Sequence, residues 1–215
     1  MTVTVLKQNH MQAEQRLQQG IEQLKLDIDQ ATQAKLLAYL QLMLKWNRAY
    51  NLTAIRDLDS MVIRHLLDSL SILPYIDQSP VLDVGTGAGL PGIPLALCLP
   101  DTRFVLLDSN GKKTRFLTQV KIELGIENVE IIHSRIEQYQ PDIRFPLITC
   151  RAFAALNTIL DLTQHLVTSG SRVLAMKGRE EMPALAAGYT QLAQHTLHVP
   201  WLNEERRLIE IKQTE

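Results

Sequence analysis

The spacing of hydrophobic residues changes near residue 78. From about Met11 to Ile76 apolar residues recur every three or four positions. Leu36, Leu37, Leu40, Met43 and Leu44 do so within Ala31 to Trp46, which predicts an amphipathic helix. Asp59 or Ser60 is expected to cap a further helix through Leu73, with Met61, His65, Leu66, Ser69 and Leu70 on one face and Pro74 closing it. Beyond Pro80 the pattern becomes short apolar runs followed by helical stretches. Strands are expected at Val81–Val84, Phe104–Asp108, Val129–Ile132, Leu147–Cys150 and Arg172–Met176. Helices are expected at Ile93–Leu99, Lys112–Leu124, Leu156–Val167 and Glu180–Ala187. Such alternation predicts an α/β fold with a mostly parallel sheet and right-handed crossovers. The tail breaks the rhythm. Leu197–Trp201 and Arg207–Ile211 read as two strands around the polar turn Asn203-Glu204-Glu205, a hairpin placing an antiparallel strand at the end of the sheet. The expected organisation is a helical N-terminal segment over residues 1–77 and an α/β domain over 78–215.

Composition narrows the class. The chain has 215 residues, 46% hydrophobic and 21% charged, an ordinary globular make-up that needs no disulfide staples. Lys and Arg number 22 against 23 Asp and Glu, a net charge of −1, so any contact with nucleic acid must come from a local patch. Cys98 and Cys150 lie in apolar runs, away from other Cys or His at metal-ligand spacing. They are expected to be buried thiols in a reducing cytoplasm, with no metal site. The longest apolar run, Leu90 to Pro100, carries three prolines and is shorter than the ~20 residues of a membrane span. Met1 to His10 has neither the apolar core of a signal peptide nor an Arg-rich stripe. The expected location is cytoplasmic, and the expected state a monomer.

The chemistry concentrates in Val81-Leu82-Asp83-Val84-Gly85-Thr86-Gly87-Ala88-Gly89-Leu90-Pro91-Gly92-Ile93-Pro94. A buried strand runs into glycines and then into a helix. Glycines allow a sharp turn and let a ligand approach the backbone closely. Pro91 suits a first helical turn, and the helix start is expected to offer free N–H groups to an anion. Asp108 ends the next strand, where a carboxylate accepts hydrogen bonds from both hydroxyls of a ribose. Together these predict a nucleoside cofactor. The triple Gly85-x-Gly87-x-Gly89 departs from the dinucleotide G-x-x-G spacing. Asp83 also puts an acid inside the strand, where it is expected to join a network orienting the amino group of a methionine moiety. Both features favour S-adenosylmethionine over a nicotinamide dinucleotide, and a nicotinamide-dependent oxidoreductase stays as a rival.

With these residues the sequence resembles the Rossmann-like class I methyltransferases. It is similar, more closely, to the bacterial 16S ribosomal RNA guanine-N7 methyltransferases of the glucose-inhibited division protein B family. The resemblance is carried by the glycine segment together with Asp108-Ser109-Asn110-Gly111-Lys112-Lys113, Arg151-Ala152-Phe153-Ala154 and Met176-Lys177-Gly178. Upstream, Trp46-Asn47-x-x-x-Asn51-Leu52-Thr53 and His65-Leu66-Leu67-Asp68-Ser69 also match. It runs from about Leu36 to Ile211, with Thr86 where many relatives carry Ser. It implies S-adenosylmethionine as cofactor, held at Gly85, Leu90, Ile136, Glu137 and Arg151, with Asp108 on the ribose by analogy with the class. It implies 16S ribosomal RNA, or the assembling small subunit, as partner.

The segment after the fourth strand faces the transferred methyl in this fold. It reads Thr149-Cys150-Arg151-Ala152-Phe153, without the Asp/Asn-Pro-Pro-aromatic run of exocyclic-amine methyltransferases. Cys150 leaves a pyrimidine-C5 methyltransferase open as an alternative. A non-catalytic nucleoside sensor or RNA-binding module is the third reading. Guanine N7 carries a lone pair and no proton, so its methylation needs in-line positioning and no general base; no catalytic acid–base residue is expected. Arg suits the N7/O6 edge of guanine, so Arg151 is open to either ligand. Lys112, Lys113, Arg115 and Lys177 are candidate RNA contacts beside the cofactor loop. Trp46, Tyr50 and His65 read as helix-packing residues rather than base-stacking platforms.

Overall fold

The structure, a computed structural model, describes residues 3–152, 154–179 and 183–214. Its centre is a seven-stranded sheet in the order β3-β2-β1-β4-β5-β7-β6. The strands are β1 (Val81–Val84), β2 (Phe104–Asp108), β3 (Val129–His133), β4 (Leu147–Arg151), β5 (Arg172–Lys177), β6 (Tyr189–Leu197) and β7 (Arg206–Gln213). β1 to β5 are parallel, and β7 returns antiparallel between β5 and β6. The order reverses at the β1/β4 pair, where sheets of this kind open a crevice at the carboxyl ends of their strands.

Two apolar clusters cover the two faces, and the period of two along each strand assigns residues to them. Val81, Phe104, Leu106, Leu147 and Leu174 pack under the N-terminal helices α1 (Val3–Gln23) and α2 (Gln30–Tyr50) and under α5 (Gly92–Cys98) and α6 (Gly111–Leu124). Leu82, Val84, Val105, Ile148 and Cys150 face the opposite way, toward α7 (Leu156–Thr163). Tyr39 of α2 is wholly buried, and its hydroxyl donates to the Ala88 carbonyl in the glycine loop at 2.7 Å. The N-terminal helices and one face of the sheet thus share a single apolar cluster.

The elements expected from the sequence need four corrections. The helix expected to start at Asp59 or Ser60 is capped earlier, by Asp57, whose carboxylate accepts from the Ser60 N–H at 2.8 Å. It runs as α3 (Leu58–Met61), a π-helical stretch Val62–Leu67 and α4 (Asp68–Leu70), ending before Leu73. The segment Leu156–Val167 is α-helical only to Thr163 and then tightens to a 3-10 turn. The expected helix Glu180–Ala187 is not formed over its described part, residues 183–187; residues 180–182 lie outside the described residues. The first hairpin strand is Tyr189–Leu197, not Leu197–Trp201. β6 is an edge strand with most side chains exposed or half-exposed, so it carries little apolar signal.

Candidate active site: two cavities that meet at Ala152

The glycine loop is shaped by an acid beneath it. Gly85, Gly87 and Gly89 have φ of 64°, 63° and 96°, a region L side chains rarely adopt. A Cβ on Gly92 would overlap Leu106 and Asp83, so the start of α5 lies hard against the sheet. The Asp83 carboxylate is fully buried and directed to that contact. It accepts from the Thr86 hydroxyl at 2.6 Å and the Gly92 N–H at 2.9 Å, with the Thr149 hydroxyl at 3.5 Å. Burial pushes its pKa up to about 6 against these bonds. Two expectations change here. Asp83 is spent on the loop and has no surface with which to orient a ligand's amino group. The start of α5 is not a free anion site, because Asp83 already supplies the anion.

Asp108 closes the loop from the side. One oxygen accepts the Gly87 N–H and the other the Asn110 N–H, each at 2.8 Å, with Lys113 Nζ 3.9 Å away. Each carboxylate oxygen has two lone pairs, so each keeps one for a further donor. Asp108 borders a cavity of about 450 Å³ with Gly85, Lys113, Ile136, Glu137 and Ala152. Such a volume takes a nucleoside with a short side arm. Of the residues expected at the cofactor, Gly85, Asp108, Ile136 and Glu137 are brought together here. Leu90 lines neither this cavity nor the next; it is buried in the cluster beneath the loop.

Arg151 lies in a second cavity, of about 360 Å³, lined also by Arg64, His65, Asp68, Lys177 and Arg206. Ala152 lines both cavities and has φ 49°, the left-handed region, although it is not glycine. Asp68 is nearly buried and takes two guanidiniums: Arg151 Nη1 at 2.9 Å and Arg206 Nε at 3.1 Å. Lys177 donates to the Ala154 carbonyl at 2.7 Å. His65 comes from the π-helical stretch. Asn47 shapes the chain after α2, accepting from Thr53 N–H at 2.9 Å and donating to the Thr53 and Ile55 carbonyls. That brings the Thr53 hydroxyl to 2.9 Å from His65 Nε2. Burial, followed by the Arg151 charge, depresses the His65 pKa to about 4, so the ring is neutral at pH 7.

Among the charged residues of this cavity, Arg64, Asp68 and Arg206 are those to which the sequence alone assigns no role. Asp68 stands inside the quoted His65–Ser69 motif; Arg206 lies in an ordinary-looking hairpin, and only tertiary structure brings it here. Lys112 and Arg115 are exposed on α6 outside both cavities, while Lys113 turns toward Asp108. Trp46 stacks on Tyr50 with centroids 5.1 Å apart and leans on Phe116 at 5.7 Å, as packing residues do. Cys150 is buried on the α7 face, away from the second cavity, and burial pushes its thiol up to about 12. Both cysteines are free, and no cluster of metal-ligating side chains occurs among the described residues. Phe153 lies outside the described residues. Among the described residues, no helix is long and apolar enough to cross a membrane.

A parallel sheet reversing at β1/β4, a glycine loop after β1, an acid ending β2 and an antiparallel β7 define a class I methyltransferase. Solved structures agree on the fold. A putative methylase from Haemophilus influenzae is 17% identical, covers 67% of this chain and 84% of its own, and has a TM-score of 0.51. An N-methyltransferase from Bradyrhizobium japonicum is 17% identical over 71% of this chain and 95% of its own, also with a TM-score of 0.51. The chain belongs to the GidB family, described as rRNA small subunit methyltransferase G, whose model matches residues 32–209. Relatives named Ribosomal RNA small subunit methyltransferase G include one from Ectopseudomonas mendocina, 49% identical over 93% of this chain and 96% of its own. Another, from Pseudomonas aeruginosa, is 50% identical over 92% of this chain and 94% of its own.

Proposed function

We propose that this chain transfers the methyl group of S-adenosylmethionine to N7 of a guanine in 16S ribosomal RNA, acting as a monomer in the cytoplasm on the RNA or the assembling small subunit. Bound in the first cavity, the cofactor supplies an electrophilic methyl on a sulfonium. The residues there fit it. Gly85 brings left-handed backbone to the cavity wall without a side chain, Asp108 keeps a lone pair on each oxygen for the ribose hydroxyls, and Ile136 gives an apolar wall for a base. Gly85, Ile136 and Glu137 are the contacts we assign, with Leu90 supporting the loop from below. A nicotinamide dinucleotide fits worse: its pyrophosphate would meet the buried Asp83 carboxylate at the helix start that such cofactors use.

The second cavity carries the argument for N7, and the observation is the lack of a usable base. Among the described residues that line it, Asp68 is held by two guanidiniums and the neutral His65 has its Nε2 against Thr53. The remaining ionisable residues are Arg64, Arg151, Lys177 and Arg206. An exocyclic amine would have to lose a proton here; N7 has none to lose. Cys150 points to the other face of the sheet with a protonated thiol, which removes the pyrimidine-C5 route. During transfer the N7 lone pair must point at the methyl, so Arg151 is left with O6 as its acceptor on the base. Arg151 and Lys177, with Lys113 at the first cavity and Lys112 and Arg115 further out on α6, supply cations to the RNA. The test is to incubate the protein with S-adenosylmethionine carrying a labelled methyl and 16S RNA, then digest to nucleosides. Label in 7-methylguanosine is expected; label in a 5-methylpyrimidine, or tight NAD binding without S-adenosylhomocysteine binding, would overturn the reading.

A further inference from the structure

Five charged side chains alternate in sign from the second cavity outward: Arg151, Asp68, Arg206 and Arg64 line it, and Glu204 bridges the two last from the neighbouring groove that Arg206 also lines. Arg64 Nη2 lies 2.7 Å from Glu204 Oε1, and the other oxygen of Glu204 takes Arg206 Nη2 at 2.9 Å. Arg206 Nε then reaches Asp68 Oδ1, and Asp68 Oδ2 reaches Arg151. The two carboxylates in this chain are not equivalent. The Asp68 side chain is 4% exposed and sits in a helix, whereas that of Glu204 is 48% exposed on the connection between β6 and β7. Arg64 is 43% exposed and projects from the π-helical stretch.

Glu204 therefore presents one oxygen to each of two guanidiniums at the edge of a cavity rich in cations. A phosphodiester has the same single charge and the same paired oxygens, and guanidinium forks bind both groups in the same way. The contact between Glu204 and Arg64 holds both ionised: it raises the pKa of Arg64 and lowers that of Glu204. Exposed pairs of this kind contribute little net stability, so an incoming anion displaces the carboxylate at small cost. Exchanging one monoanion for another leaves the charge balance around Asp68 unchanged.

We propose that Arg64 and Arg206 form a seat for a backbone phosphate of the RNA beside the methylated base, and that Glu204 is the resident anion that the phosphate replaces. The inference rests on the ribosomal RNA reading of this site and names the part of the substrate that its rim grips. Glu204 both keeps the two guanidiniums aligned and sets a threshold against weakly bound polyanions.

The experiment measures the affinity of transcribed 16S RNA across salt concentrations for wild type, Glu204→Ala, Arg64→Ala and the double variant. Glu204→Ala should bind RNA about two- to fivefold more tightly at low salt, the range spanned by exposed ion pairs. Arg64→Ala should bind more weakly and lose about 0.7 from the slope of log affinity against log salt. In the Arg64→Ala background, removing Glu204 should give a smaller gain, because half of the seat is gone. Equal gains in both backgrounds would mean general repulsion by an acid near RNA and would overturn the proposal. Unchanged or weaker binding by Glu204→Ala would overturn it too. Affinity for S-adenosylhomocysteine should be the same in all four proteins. The parent reading is judged separately, by 7-methylguanosine formed by the wild type.

Discussion

The cavity at Asp108 and the cavity at Asp68 share a wall residue and are built differently. The first is walled mainly by short segments at the carboxyl ends of β1 to β4, and the glycine loop after β1 is clamped by Asp83 from below and Asp108 from the side. The second is made by side chains from four separate elements: Asp68 and His65 before the sheet, Arg151 on β4, Lys177 on β5 and Arg206 on β7. Carboxylates organise both, but in the first they accept mainly backbone N–H groups and in the second guanidiniums. Backbone held in place by local rules suits a ligand needed in every turnover; side chains on independent elements are free to specialise for one acceptor.

Removing each organising acid breaks the comparison at its strongest point. Asp68→Ala leaves two partly buried guanidiniums without their shared carboxylate, and a loss of about 3 kcal/mol of folding stability is expected in urea unfolding. A loss below about 1 kcal/mol would show that the arginines are held by other means. Asp108→Ala should weaken S-adenosylhomocysteine binding by about 1.5–3 kcal/mol in calorimetry, the worth of hydrogen bonds to a charged group. It should also destabilise the fold by about 1 kcal/mol or more, because Gly87 and Asn110 lose their acceptor. Cofactor affinity equal to wild type would remove Asp108 from the cofactor site.

The acid beneath the glycine loop and the histidine of the second cavity titrate in opposite directions. Asp83 has a folded pKa of about 6, raised by burial above the 3.8 of a free aspartate. Between those values the folded protein holds a proton that the unfolded chain has released, so its contribution to stability falls as pH rises through that window. His65 has a folded pKa of about 4 against 6.5 for a free imidazole. Here the unfolded chain holds the extra proton, and stability rises with pH from about 4 to 6.5. In wild type the two slopes oppose each other. His65→Gln should uncover the falling slope and Asp83→Asn the rising one, each by about 1 kcal/mol per pH unit at its steepest. Parallel stability–pH profiles for all three proteins would refute the assignment. The smallest effect is expected outside both cavities. Replacing Lys112 and Arg115 with Ala should flatten the salt dependence of RNA binding by about 1.4 in slope, with cofactor affinity unchanged; parallel lines would exclude these two from the RNA surface.

The same contrast governs how much of the molecule can be read from its sequence. β1, β2 and the glycine loop were legible because strand, turn and acid stand within some 30 residues and each obeys a local rule. Asp83 was visible as unusual but misassigned. A carboxylate in a strand does not say whether it faces a ligand or the helix start behind it, and only the fit of Gly92 against Leu106 decides that. The acceptor side was mostly illegible. Arg206 lies 138 residues from Asp68, and no periodicity links them. β6 escaped because an edge strand need not alternate strongly, and its eight-residue connection to β7, residues 198–205, hid Glu204 in what read as a plain polar turn.

Ala152 carries a consequence for the order of events. It is the one described residue that lines both cavities, and each cavity is open to solvent. Neither ligand has to pass through the other's chamber, so RNA and methyl donor are expected to bind in random order. On the proposed reading the methyl crosses beside Ala152. A bulkier side chain at 152 would throttle turnover at that doorway while both binding equilibria stayed intact.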